Sequence, residues 1–240
     1  MKPQIIFDLD GTLVDSCAIC VDILQTMLLD RGSNHQIDPD FARPYMSHGG
    51  QAMVSALLGP ACLDAAEDLA EFRTRYGKTP TPMTALFPGV AEALAKLHAA
   101  GYTLSICSNK PQNLCDQVLR DTGLADLFTV VVGGQSDLRP KPAPDLVEHT
   151  LHLLGADIGD CVFIGDSELD HQVATSLGML FKFVTYGYAT QGWHPDDSDC
   201  FDCFPTLFDA LARSSGQVVP FAPVGKRLPA APLAARRDFG

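Results

Sequence analysis

The sequence predicts an α/β fold, a doubly wound (Rossmann-like) parallel sheet with a small α-helical domain inserted near its start. Three observations point there. Short β-rich apolar runs alternate with amphipathic helical stretches over most of the 240 residues, the pattern of βα units. One long segment breaks that alternation with helical patterns alone. Polar clusters follow several of the strand candidates, at the sheet edge where open α/β folds bind ligands. With 46% hydrophobic residues the chain can bury a sizeable core, and its length suits one large domain with an insertion.

Taken in order, the expected strands are Gln4 to Leu9, Thr103 to Cys107, Phe128 to Val132, Cys161 to Ile164 and Phe181 to Val184. Each is a short apolar run bounded by polar or turn residues. Between them lie stretches such as "PGVAEALAKLHAAG", where Val90, Leu94 and Leu97 share a helical face, Pro88 stands at the start and Gly101 at the stop. Residues 16–85 contain "CAICVDILQTMLLDRG" and "CLDAAEDLAEFRTRY", helical patterns with no strand between them, and return through the Pro- and Thr-rich "GKTPTPMTALFPG". The expected organisation is therefore a core over 1–15 and 86–213, a helical cap over 16–85, and a Pro/Ala-rich tail over 214–240, disordered or docked.

Charge excludes some partners. Lys plus Arg total 17 against 29 Asp plus Glu, a formal net charge of -12, the wrong sign for attracting nucleic acid or anionic lipid. No stretch approaches the roughly 20 apolar residues of a membrane span, and "MKPQIIFDLD" lacks a long apolar leader. A soluble cytoplasmic protein, monomer or homodimer, is expected. The eight cysteines include the pairs Cys17/Cys20 and Cys200/Cys203, but zinc sites keep their pairs closer in sequence, so Cys17 and Cys20 read as small apolar helix residues.

The polar clusters carry the chemistry. Asp8 and Asp10 follow the first strand, Ser108, Asn109 and Lys110 the second, and Gly165, Asp166, Ser167 and Asp170 the fourth; Lys141 in "RPKPAPD" can reach the same edge. Crowded carboxylates call for a divalent cation, because like charges otherwise repel. In order, "DLDGT", "SNK", "KP" and "GDSELD" resemble the four signatures of the haloacid dehalogenase-like hydrolase superfamily. The resemblance covers nearly the whole core.

That resemblance implies a Mg2+-dependent phosphatase working through an aspartyl phosphate. Asp8 would be the nucleophile, already ionised at neutral pH. The metal ligands would be Asp8, the backbone carbonyl of Asp10, and Asp166. The Asp10 side chain would protonate the leaving oxygen and then activate water. Ser108 Oγ, the Asn109 N–H and Lys141 would cover the phosphoryl oxygens. Gly11 would let the backbone turn beside the phosphate. Asp170 would support a metal-bound water or orient Lys141, and Asp15 would cap the next helix or serve the hinge.

The acid two residues after the nucleophile, Asp10, favours phosphate esters, and the helical insertion looks like a cap closing over small substrates. "SNKP", "VVVGGQ" and "VTYGY" look most like the phosphoglycolate phosphatase branch, with 2-phosphoglycolate as first candidate among small phosphorylated metabolites. In the cap, "RPYMSHGGQAMV" departs from the branch at Ser47-His48. Arg43, His48 and Lys110 are the candidates for a substrate carboxylate. A sugar phosphomutase, a pyrophosphatase and a non-catalytic phosphate-binding module are the competing readings.

Overall fold

The computed structural model describes residues 4–47, 49–195 and 199–214. At its centre β1 (Gln4–Phe7) pairs in parallel with β2 (Leu104–Pro111) on one side and β4 (Cys161–Gly165) on the other. β3 (Val130–Gly134) lies outside β2, while β5 (Leu180–Val184) and β6 (Asp199–Phe201) extend the other flank, giving the order β3-β2-β1-β4-β5-β6 with every pair parallel. The helices are α1 (Cys17–Asp30), α2 (Pro39–Ala42), α3 (Gly50–Leu58), α4 (Ala65–Tyr76), α5 (Val90–Ala99), α6 (Gln112–Asp121), α7 (Asp145–Leu154), α8 (Glu168–Leu177) and α9 (Phe204–Ser214).

Side-chain alternation along β1 divides the core into two layers. Ile5 and Phe7 join the layer holding Leu94 of α5, Val118 of α6 and Leu207 of α9. Ile6 points the other way, toward Val147 of α7 and Val173 of α8. A strand buried on both faces reads as an unbroken apolar run, which is why "IIF" carries no polar alternation.

Several boundaries differ from expectation. β1 stops at Phe7, so Asp8 is the first residue past the strand rather than inside it. β2 runs on to Pro111, which places Ser108, Asn109 and Lys110 in its last residues instead of after it. The β2–β3 register shifts between Cys107 and Pro111, an irregularity of the kind found beside functional sites. β3 begins later than expected because Ala125–Leu127 coils into a 3-10 turn. β6, three residues long, is too short to show a period.

Between residues 16 and 85 the described residues form helices α1 to α4 and short 3-10 turns, with no strand among them. Asp64 caps α4 by accepting from the Ala66 and Glu67 N–H groups, at 2.8 and 3.0 Å. Glu67 and Asp68 in the first turn and Arg73 and Arg75 in the last complement the helix dipole. Arg31 at the end of α1 bonds Asp68 and Glu71 of α4, at 2.6 and 2.7 Å, and so fixes the two helices side by side. The chain leaves and re-enters the sheet region through adjacent segments: Val14 bridges Leu86, the Asp15 N–H donates to the Ala85 carbonyl at 2.7 Å, and the Phe87 N–H donates to that of Leu13 at 3.1 Å.

Cys17 and Cys20 are buried in α1, and all eight cysteines are free thiols. Among the described residues no helix is long and apolar enough to cross a membrane. The expected tail lies, from residue 215 on, outside the described residues.

Candidate active site

The ends of β1, β2 and β4 bring together the residues singled out in the sequence. Asp8 is held at its post by its N–H, which donates to the Ile164 carbonyl of β4 at 2.9 Å. Asp166 follows β4 directly and is buried, its oxygens accepting from Thr12 Oγ1 and the Tyr188 N–H, both at 2.8 Å. Asp170 sits at the third position of α8 in a reciprocal cap with Ser167, whose Oγ donates to it at 2.6 Å. Carboxylate oxygens of Asp8, Asp166 and Asp170 all lie within 4.8 Å of one another.

Lys141 is the counter-charge. Its Nζ lies 2.6 Å from Asp170 and 3.1 Å from Asp8, and donates to the Cys107 carbonyl at 3.0 Å. Burial alone would lower its pKa, but Asp170 and Asp8 outweigh that and hold it as a cation. Asn109 sets its place: the side chain accepts from the Lys141 N–H at 2.7 Å and donates to the Lys141 carbonyl at 3.0 Å. Of the two roles expected for Asp170, the contacts made are those that orient Lys141.

Burial pushes the Asp8 carboxyl up to about 6, against the pull of Lys141 and with a further push from Asp170. Asp166 is raised well above the usual carboxylate range by burial, then by Asp170 and Asp8. Three carboxylates facing one ammonium leave two negative charges unanswered. The donors are all oxygen, the set preferred by a hard divalent cation. The site's chemistry therefore fits the Mg2+ that the resemblance implied, which Asp8, the Asp10 carbonyl and Asp166 would hold.

Glycines shape the pocket around Asp166. Gly11 adopts φ +85, and a Cβ there or at Gly187 would collide with the Asp166 carboxylate. The need for glycine at position 11 thus comes from the neighbouring acid as well as from the turn.

Asp10 stands at the mouth of the site, where Lys110 Nζ pairs with it at 3.0 Å and lies 3.9 Å from the centre of the Tyr76 ring. Burial would lower the Lys110 pKa, yet Asp10 and Tyr76 raise it. Lys110, expected to meet a substrate carboxylate, is paired in this structure with Asp10. Ser108 lies buried beside the site, not at a helix start.

Arg43 is also placed differently. It bonds Asp15 at 2.9 Å and the Tyr186 carbonyl at 3.1 Å, with its guanidinium 5.1 Å from the Tyr188 ring centre. Those contacts clamp the insertion to the hinge and the loop after β5, and Arg43 is not among the residues lining the cleft. Asp15 accepts from the Cys17 N–H at the start of α1 at 3.3 Å and from the Tyr188 hydroxyl at 2.9 Å. His48 lies outside the described residues.

A cavity of about 130 Å³ separates this edge from the insertion, room for on the order of ten water molecules. Its far wall is apolar, with Met53, Leu69, Phe72 and Tyr76, and carries Arg73. Thr12, Tyr188, Gly187, Tyr76 and Arg73 were not singled out in the sequence. Thr12 sat in plain view in "DLDGT", and Gly187 and Tyr188 in "VTYGY"; Tyr76 and Arg73 had no motif to mark them.

The chain matches the family model described as haloacid dehalogenase-like hydrolase over residues 5–184. It is 35% identical over 192 residues to a plasmid-encoded phosphoglycolate phosphatase of Cupriavidus necator, covering 78% of this chain and 83% of that protein. A phosphoglycolate phosphatase of Rhodobacter capsulatus is 34% identical over 193 residues, covering 78% and 86%. Among solved structures, one described as a predicted phosphoglycolate phosphatase from Haemophilus somnus superposes with a TM-score of 0.75 at 27% identity, covering 87% of this chain and 97% of that one. The chain belongs to the haloacid dehalogenase-like hydrolase family and, within it, to the phosphoglycolate phosphatase-like branch of phosphatases.

Proposed function

We propose that this protein is a Mg2+-dependent phosphatase of small phosphate monoesters, with 2-phosphoglycolate as its substrate, and that it works through an aspartyl phosphate on Asp8. The observation that carries this reading is the meeting of Asp8, Lys141 and Asp166 in the wall of a small cavity. When bound, Mg2+ would supply the positive charge that lets a carboxylate approach a phosphate.

The residues divide the work. Asp8, one oxygen of which accepts from the Leu9 N–H at 2.7 Å, attacks phosphorus as the ester oxygen departs. Lys141 and Ser108 neutralise the phosphoryl oxygens, with the Asn109 N–H as a further donor. Asp10 gives the departing oxygen its proton, then takes one from the water that cleaves the aspartyl phosphate. Lys110, 3.0 Å from Asp10, fixes the position of that carboxyl beside the reacting oxygen. Residues 16–85 act as the cap that excludes bulk water, hinged where Val14 meets Leu86.

The test is phosphate release from 2-phosphoglycolate, β-glucose 1-phosphate and pyrophosphate, each with Mg2+ and with chelator. Preferential Mg2+-dependent hydrolysis of 2-phosphoglycolate is expected. Isomerised sugar phosphate would establish a mutase instead, and preference for pyrophosphate would reassign the substrate.

A further inference from the structure

We propose that Arg73, on the cap-side wall of the cavity, selects substrates by binding their carboxylate, an inference that rests on the phosphatase reading above. The argument is a charge inventory of the cavity. Its core wall offers two lysines, and both are engaged: Lys141 lies between Asp170 and Asp8 at 2.6 and 3.1 Å, and Lys110 is on Asp10 at 3.0 Å. Arg73 lines the same cavity and has no carboxylate within ion-pair distance among the described residues. Its helical neighbour Arg75 shows what an engaged arginine looks like here, paired with Glu71 and, at 2.8 Å, with Asp30 of α1.

Helical spacing puts Arg73 on the stripe of α4 that lines the cavity. Leu69, Arg73 and Tyr76 fall at i, i+4 and i+7 on α4, one stripe of the helix. The last of these touches Lys110, which in turn holds Asp10. Arg73 therefore stands one turn along the wall from a side chain in contact with the acid–base pair. The surrounding wall is apolar, and Arg73 is an exposed side chain with no carboxylate partner among the described residues. Its planar fork of donors matches a carboxylate with two parallel hydrogen bonds. A small ester held by phosphate at Asp8 and Lys141 would reach this wall with its other end.

The test uses esters matched except for the carboxylate: 2-phosphoglycolate against ethyl phosphate, and 3-phosphoglycerate against 2-hydroxypropyl phosphate. kcat and KM are measured for the parent, Arg73→Gln and Arg73→Lys, with thermal melting to check folding. The parent should prefer the carboxylated member. In Arg73→Gln the ratio of kcat/KM within a pair should fall about tenfold to hundredfold, through the KM of the carboxylated ester, and Arg73→Lys should restore part of it. An unchanged ratio in Arg73→Gln, equal losses on both members, or no preference in the parent would overturn the inference. If the parent ignores 2-phosphoglycolate but shows an Arg73-dependent preference for 3-phosphoglycerate, the substrate assignment fails and the role of Arg73 stands. Hydrolysis of 2-phosphoglycolate with a ratio indifferent to Arg73 would do the reverse.

Discussion

The two walls of the cleft follow opposite electrostatic plans. On the sheet side the side chains are locked by partners: Asp170 by Ser167 and Lys141, Lys141 by Asn109, Asp166 by Thr12 and Tyr188. The insertion side presents Met53, Leu69, Phe72 and Tyr76, with Arg73 as a cation awaiting an anion. A preorganised wall suits a reaction whose charge always develops in one place. A greasy wall with a single charge suits selection, because altering one residue changes what is accepted without disturbing the chemistry.

Substitutions on the sheet side should therefore cost rate, and those on the insertion side should not. The largest effect expected is for Asp8→Asn, which removes the nucleophile and should lower kcat by on the order of 10^4 or more, read as phosphate release at saturating substrate. Gly187→Ala pushes a methyl group into the Asp166 carboxylate and should weaken Mg2+ by about tenfold to hundredfold, measured by titrating activity with the ion.

A third effect depends on pH. The folded-state pKa of Asp8 is raised from 3.8 to about 6, so the ion-free protein binds more protons folded than unfolded in that window. The contribution of Asp8 to stability is fullest below the lower value and is lost as pH rises through the upper one. Mg2+ competes for the same oxygens. Melting curves should show a Mg2+-induced rise in Tm at pH 7.5 that shrinks at pH 5; an equal rise at both would separate the ion from these carboxylates.

The smallest effect is expected at the clamp. Arg43 and Asp15 are about a third exposed, at 34% and 35%, so solvent screening limits their bond to below about 1 kcal/mol. Arg43→Ala should leave the KM for 2-phosphoglycolate within about twofold of the parent, and a large rise would return Arg43 to the substrate.

The sheet and its reactive edge were legible because their requirements are local. An apolar run buried on both faces, followed at once by acids, announces a central parallel strand and what stands at its end. Asp8 and Asp166 could be paired from the sequence because topology delivers strand ends to one edge, and Lys141, in the loop before α7, joined them through the family resemblance. Arg43 misled because a cation in the cap has many possible partners, and which one it meets depends on how helices pack rather than on spacing. Arg73 went unnoticed for the same reason: "EFRTRY" holds two arginines two positions apart, and nothing short of the packing of α4 says which one faces α1 and which the cavity. Lys110 was placed at the right edge, but its engagement with Asp10 turns on side-chain reach that no pattern encodes.

Tyr188 joins parts that a moving lid would separate. Its N–H holds Asp166, its carbonyl accepts from Ser47 of the insertion at 3.2 Å, and its hydroxyl reaches Asp15 at the crossing point. A swing that stretches the Ser47 bond would pull on the same residue whose N–H steadies Asp166. On the proposed reading, opening the cap and loosening the grip on Mg2+ would be one mechanical event, and by reciprocity a tightly held cation would favour the shut form.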